Sequence, residues 1–412
     1  MVELVATHGY EAVTVRGLTK RARVSSGTFY NHYRSTDDCL LSTFDLICRS
    51  TSERLLQAGQ EEPDPRRRLA LAIGCLFRDM AANRQAATFM LRGAPAAGPA
   101  FTSRLRNSAM RIGLALEFCL RTGGGPHLPP HLLEGVVAGL ARIGRLWLPA
   151  ATEAEIGEIA AEAAEWIMSL SFPSAQGAEL LVAPVPPGRR DGSTAARRLR
   201  DGNWQGTLGD ERVMILAAAF RIAQCTGYHQ LSIPMICREA GVSRRSFNRH
   251  FEGLEDCFSA ALEERVASAV EASLRRRTPS APWSTAVCEA LEELCDAIEA
   301  DVDSARVLLV EVSAAGTAGI DSRERQIARI ARALQATAPV GREPSELAAE
   351  ASTAAAWAIL RRRASEQSSA ATASLLPLLA FLALAPAVGS PAALRAITAS
   401  RGGQERIKKR NV

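Results

Sequence analysis

The sequence predicts an all-α protein built from two tandem copies of one helical unit. Three observations predict it. First, residues 9–40 lie over residues 227–258 at a constant offset of 218 (Gly9 on Gly227, Leu40 on Phe258) with no gap. Nine positions are identical: Gly9/Gly227, Tyr10/Tyr228, Ala22/Ala240, Val24/Val242, Ser25/Ser243, Phe29/Phe247, His32/His250, Asp38/Asp256 and Cys39/Cys257. Apolar character matches at Val13/Leu231, Val15/Ile233, Leu18/Ile236 and Tyr33/Phe251. That agreement marks an internal repeat. Second, Ala is abundant, aromatics make up 5% and β-branched runs are scarce, which favours helix. Third, 412 residues are too many for one core and suit two or more domains, and 47% hydrophobic content fills them.

The elements follow in order. A first helix precedes the repeat. In copy two it covers about 210–226, whereas Met1 aligns with Ala219: either the true start lies further upstream, or copy one has about two turns of it and a less stable domain. A second helix covers 15–22 and 233–240, with Thr14 and Ser232 as N-caps. The turn is Arg23-Val24-Ser25 or Gly241-Val242-Ser243. Gly241 suits a left-handed residue, because it has no Cβ to clash. Arg23 in the same slot costs on the order of 1 kcal/mol if it is left-handed. Ser25 and Ser243 cap a third helix. Two short helices joined this way form a helix-turn-helix, whose second helix can enter the DNA major groove.

The exposed candidates on that helix are Ser26, Gly27, Thr28, Tyr30 and Asn31 in copy one, and Arg244, Arg245, Ser246, Asn248 and Arg249 in copy two. Phe29 and Phe247 are expected to face the core. His32 and His250 read as phosphate donors or structural caps; neither has a spaced partner for a metal. Between Val15 and Arg34 stand Arg16, Lys20, Arg21, Arg23 and Arg34 with no acid. Between Ile233 and Phe251 stand four arginines and one acid, Glu239. The net charge of +5 is mild, so this local clustering carries the argument for phosphate binding.

The runs GYEAVTVRGLTKRARVSSGTFYNHYRSTDD and GYHQLSIPMICREAGVSRRSFNRHFEGLED each resemble the DNA-binding domain of tetracycline-repressor (TetR) family regulators. The resemblance covers about 45 residues per copy and implies an all-α fold of two tandem TetR-like units. Each unit would have a three-helix helix-turn-helix domain and a helical ligand and dimerisation domain. It also implies phosphate contacts at Thr14 and Ser232. Such proteins pair as homodimers, so this chain resembles a dimer fused into one polypeptide. The last two long helices of each half, 130–148 with 153–171 and 345–363 with 370–384, would form the interface bundle. Recognition helices would lie about 34–36 Å apart, one DNA turn. The sequence departs from the family at Thr36 and Leu254, where a lysine is usual, and Pro234 stands where copy one has Arg16. Proline fits a first helical turn but cannot donate to phosphate.

Helical periodicity continues over 40–58, 66–82, 86–91, 101–121, 130–148 and 153–171, then over 256–277, 284–300, 305–312, 321–336, 345–363 and 370–384. The expected domains are 1–48 and 210–266 for DNA, 49–183 and 267–400 for regulation, a Pro/Gly/Arg-rich linker at 184–209 and a basic tail at 401–412. Residues 370–388 are apolar for the length of a membrane span, but Pro377 and Pro386 interrupt them, so a buried packing helix and no membrane contact are expected. Nine cysteines without CxxC or zinc spacing, and no signal peptide, predict reduced thiols and a cytoplasmic location. Cys39 and Cys257 read as buried apolar residues. His127 and His131 are flanked by Gly-Pro and Pro-Pro, which reads as a loop and helix start.

No catalytic motif is present and no cofactor is expected. The reading is a ligand-responsive repressor acting as a fused pseudo-dimer on double-stranded DNA, with further homodimer pairing open. Its operator would be asymmetric, because the two recognition helices differ. Phe77, Phe89, Met90, Phe101, Met110, Phe118 and Trp147 are candidates to line an effector pocket or simply core. The second class is a helical protein-interaction module with degenerate DNA-binding units.

Overall fold

A computed structural model describes residues 1–98, 101–173, 179, 181, 210–275, 282–366 and 372–410. The expected linker at 184–209 lies outside them. Among the described residues there is no strand, and the chain divides into two compact units. The first comprises 1–168 with 313–320, the second 169–312 with 321–412.

In the first unit α1 is Val2–His8, α2 Val15–Ala22, α3 Ser26–His32, α4 Thr36–Ala58 and α5 Pro65–Ala82. They are followed by α6 Arg84–Thr88, which runs into a π-helical turn, Phe89–Gly93. Next come α7 Thr102–Arg121, α8 Leu133–Leu146 and α9 Glu153–Ser169. Helices α4, α5 and α7 pack through Phe44, Cys48, Leu55, Leu69, Ile73, Phe77, Leu116 and Leu120, all buried. Arg68 is buried among them. It donates to the carbonyls of Cys119 at 3.0 Å and Thr122 at 2.6 Å, which α7 leaves without helical partners at its end. Phe77 and Phe89 are core, and Phe118 is exposed. His131 sits in a 3₁₀ turn before α8.

The second unit holds α10 Glu211–Thr226, α11 Ile233–Ala240, α12 Arg244–His250, α13 Leu254–Arg275, α14 Trp283–Ala300 and α15 Val302–Leu309. Then follow α16 Gly316–Thr337, whose residues from 321 onward belong to this unit, α17 Glu346–Ser365, α18 Leu376–Val388 and α19 Ser390–Arg410. One core joins Cys295, Ala305, Leu309, Ile327, Ala354, Trp357, Leu360 and Leu379. The apolar α18 buries Leu378 to Leu382, with Pro377 in its first turn, as a packing helix does. No helix among the described residues is long and apolar enough to cross a membrane.

Two expectations are corrected. α19 extends through Arg410, so the basic tail is helical there; Pro391 reads as a stop but falls in the first turn, which tolerates proline. The segment expected at 86–91 is a short helix plus a π turn that reaches Gly93. The exit from α9 also joins the second unit. Phe172 stacks on Phe381 at 5.0 Å, and the Ser390 hydroxyl donates to the carbonyls of Ser169 and Ser171.

Candidate nucleic-acid interface

Both units build the same local geometry from different residues. Thr14 caps α2 in extended conformation and accepts the Gly17 N–H at 3.1 Å. Ser232 occupies the same cap position, but its side chain makes no cap bond. Pro234 falls in the first turn of α11, exposed, as expected.

The turn is superposable in hydrogen bonding. Val24 N–H reaches the Thr19 carbonyl at 3.0 Å, and Val242 N–H reaches Cys237 at 3.0 Å. Arg23 and Gly241 each donate three residues back, to Lys20 and Arg238, which completes a Schellman cap. Arg23 has φ 57° and ψ 41°, and Gly241 has φ 68° and ψ 26°. Arg23 is the one non-glycine residue with positive φ among the described residues. Ser25 then accepts the Thr28 N–H, and Ser243 the Ser246 N–H, both at 3.0 Å. Asp38 and Asp256 accept the N–H groups of Arg34 and Glu252, which fixes the step from each third helix into α4 and α13.

Phe29 and Phe247 are buried, so the side chains flanking them point out. Ser26, Thr28, Tyr30, Asn31 and His32 are exposed in α3, as are Thr14, Arg16 and Ser25 near it. In α12 Arg244, Arg245, Asn248 and Arg249 are exposed, and so is Ser243. Ser246 is the correction. It is buried, and its hydroxyl donates to Glu211 at the start of α10. The longer first helix covers this position, whereas its counterpart Thr28 stays open. His250 is half-buried with Nε2 3.5 Å from the same carboxylate. Sequence reasoning missed Glu211 because it lies outside the helix-turn-helix.

It also missed a charge exchange. Arg21 of α2 pairs with Glu3 of α1. At the matched positions Glu239 pairs with Arg221 at 3.3 Å. The polarity is reversed and the tether kept.

Connections from each motif into its helical domain differ more. Gly93 abuts Val5 of α1, where a Cβ would fall 2.5 Å from Val5 Cγ1. Tyr10 packs edge-on to Phe101 at 5.6 Å and donates to Asp37; burial, then that bond, pushes its pKa up to about 12. The residue matching Gly93 is Glu311. It accepts the Tyr228 N–H at 3.2 Å and an Arg306 N–H at 2.7 Å. Arg306 donates onward to the Gln224 carbonyl. A further matched pair, Asp45 and Glu263, ties α4 to α7 and α13 to α16. Ser108 donates to Asp45 at 3.1 Å with Arg111 at 3.4 Å, and Arg325 pairs with Glu263 at 2.7 Å. Burial acts against the Asp45 charge, but hydrogen bonds from Arg49 and Ser108 and the Arg111 charge outweigh it and lower its pKa.

Cys39 and Cys257 are buried and free, and burial raises both thiols, Cys257 to about 12. That makes both unreactive packing residues.

The model of "bacterial regulatory proteins, tetR family" matches residues 2–43 and 215–261. Over 86 residues, 21% of this chain, the sequence is 30% identical to a fatty acid metabolism regulator protein of Bacillus subtilis (strain 168). The match spans 44% of that protein's length.

Proposed function

This chain belongs to the tetR family of bacterial regulatory proteins and carries two of its units in tandem, and we propose that it is a sequence-specific DNA-binding transcriptional regulator, working as a ligand-responsive repressor and a fused pseudo-dimer. The observation that carries the reading is the duplicated recognition geometry. Two helix-turn-helix motifs share the serine cap of the third helix, the Schellman turn and the buried phenylalanine, and each presents an exposed helix face. The family name of the relative, a regulator, supports the same class.

In α3 the side chains Ser26, Thr28, Tyr30 and Asn31, which are short or neutral, suit mixed base and phosphate contacts, with Thr14, Arg16, Ser25 and His32 on the backbone. In α12 Arg244 and Arg245 suit bidentate pairing with guanine, with Asn248 beside them and Ser232, Ser243, Arg249 and His250 toward phosphates. Release by a small effector in the helical domains is supported by the two ties into them, Gly93 against Val5 and Glu311 on Tyr228. Pairing of the halves within one chain is supported by the presence of two family units in one polypeptide, which can meet as a pseudo-twofold pair.

The test is selection from a randomised operator library, followed by Arg244→Ala and Arg245→Ala. An asymmetric site with guanines in one half is expected, and each substitution should relax one half-site at a cost of roughly 1–3 kcal/mol. Recovery of a perfect palindrome would count against the fused arrangement. Failure to retain any duplex would favour a helical interaction module with degenerate motifs.

A further inference from the structure

The inference rests on the DNA-binding reading of the second unit and concerns a residue outside its motif. Glu211 is the first residue of α10, behind the cap Asp210, which accepts the Arg212 N–H at 2.9 Å. Its carboxylate lies on the recognition helix α12. Oε2 accepts the Ser246 hydroxyl. The same oxygen stands 3.6 Å from Arg249 Nη1 and 3.5 Å from His250 Nε2. Residues 246, 249 and 250 are spaced i, i+3 and i+4, so one anion addresses one face of the helix.

The remaining charges nearby are few. Arg212 lies over the Phe251 ring at 5.7 Å, directed to an aromatic face. Arg244 and Arg245, at the other end of α12, are exposed and have no ion pair among the described residues. The three arginines of α12 are therefore divided. Two are unpaired at the N-terminal end, where base edges are read. One, with the histidine beside it, already has a carboxylate at the end that faces the backbone.

We propose that Glu211 determines the DNA affinity of the second unit by competing with DNA phosphates for Arg249 and His250. A phosphate approaching Arg249 meets an acid well within the Debye length of about 10 Å. To bind, it must displace that acid or share the guanidinium with it. Sequence-independent affinity scales with the number of phosphates neutralised, so one occupied cation removes about one contact. The unit then depends on Arg244 and Arg245, whose base contacts Glu211 does not reach. Ser246 fits this role. Its hydroxyl holds the carboxylate in place and lowers the Glu211 pKa, with the His250 contact and the Arg249 charge acting in the same direction against slight desolvation. The acid therefore stays charged at neutral pH.

The experiment uses the full chain and fluorescent duplexes, one random and one carrying the selected operator, titrated with salt across roughly 50–200 mM. Glu211→Gln keeps an acceptor for Ser246 and removes the charge. It should bind both duplexes a fewfold tighter and steepen the log–log salt slope by about 0.9. Arg249→Gln should weaken binding more in the Glu211→Gln background than in wild type, which removes the gain that Glu211→Gln gives alone. A Glu211→Gln protein that binds more weakly at an unchanged slope would show that the carboxylate only braces the helix, and would overturn the proposal. A loss in Arg249→Gln as large as that in Arg244→Ala would overturn it too, whether or not the Glu211 variant folds. If the wild-type chain retains neither duplex at any salt, the DNA-binding reading falls and takes this proposal with it. If wild type binds and only the slope prediction fails, the reading stands and the proposal alone is lost.

Discussion

The two helix-turn-helix units are one design executed under different cover. α1 has 7 residues and α10 has 16, and both end on a glycine with nearly the same dihedrals, Gly9 at φ 77° and ψ 165° and Gly227 at φ 78° and ψ 164°. The following motifs are laid out alike. What changes is which side chains pack on each motif. Ala240 and Ser246 are buried, while their counterparts Ala22 and Thr28 are exposed, and Val24 is 41% exposed. The tether between first and second helix is kept in both with its charges exchanged, Glu3 to Arg21 and Arg221 to Glu239. Coulomb attraction is unchanged when both signs reverse, so the repeat preserves the pairing and not the residues. Backbone geometry is conserved by hydrogen bonding. Cover, charge placement and the tie to the helical domain are free to diverge.

The largest test of this contrast is at the aromatic core. Phe247→Ala and Phe29→Ala should each destabilise their own unit by about 3–5 kcal/mol. Denaturant unfolding followed by probes in each unit would read both, and clearly unequal losses would show that the two small cores are not equivalent. Next comes the tie at matched positions 93 and 311. Gly93→Ala places a methyl against Val5 Cγ1 and should cost roughly 1–3 kcal/mol by overpacking. Glu311→Gln keeps an acceptor for the Tyr228 N–H and should cost less.

The turn sharpens the comparison further. Arg23 is held left-handed where its counterpart is glycine. Arg23→Gly should therefore stabilise the first unit by up to about 1 kcal/mol once the added chain entropy of glycine is subtracted, seen as a higher melting temperature. Gly241→Arg should lower that of the second. A fall on Arg23→Gly would mean that the arginine side chain outweighs its backbone strain.

Smaller effects are expected at the exchanged tether. Glu3→Arg or Arg21→Glu alone should cost a few tenths of a kcal/mol, since both side chains are solvent-exposed, and the double exchange should restore wild type. A double-mutant cycle with no coupling would reduce the exchange to coincidence. The last effect is acid sensitivity. The Glu211 pKa is lowered in the folded state, so its contribution is fully present above the ordinary carboxylate value and is lost as pH falls through the folded one. Wild type should lose slightly more stability than Glu211→Gln below about pH 4.5, and parallel acid melts would remove the pin from the account.

Much of the candidate interface was legible because it is local. The caps at Thr14, Ser25 and Ser243 and the burial of Phe29 and Phe247 follow from residue type and helical spacing within a few positions. So does the left-handed slot shared by Arg23 and Gly241. Ser246 was not legible. By spacing it belongs to the exposed face of α12, and only a residue 35 positions earlier decides that it is buried. The helix α19 was missed for the opposite reason. Pro391 and the glycine pair at 402 and 403 are breakers by propensity, at about 1 kcal/mol per glycine, yet Pro391 falls in the first turn, where proline is tolerated, and the helix runs on through Arg410.

The sequence alone determined the duplication, the helical class, the position of each motif and which helix offers arginine and which offers neutral side chains. These depend on periodicity and on interactions that close within one or two turns. Tertiary structure decided what each motif touches beyond itself: Glu211 over Ser246, Arg249 and His250, Glu311 where the other copy has Gly93, and the tether with its charges exchanged. Those contacts join residues from 18 to 83 positions apart. Their formation depends on how whole helices dock, because a side chain finds a distant partner only after the cores beneath both have packed.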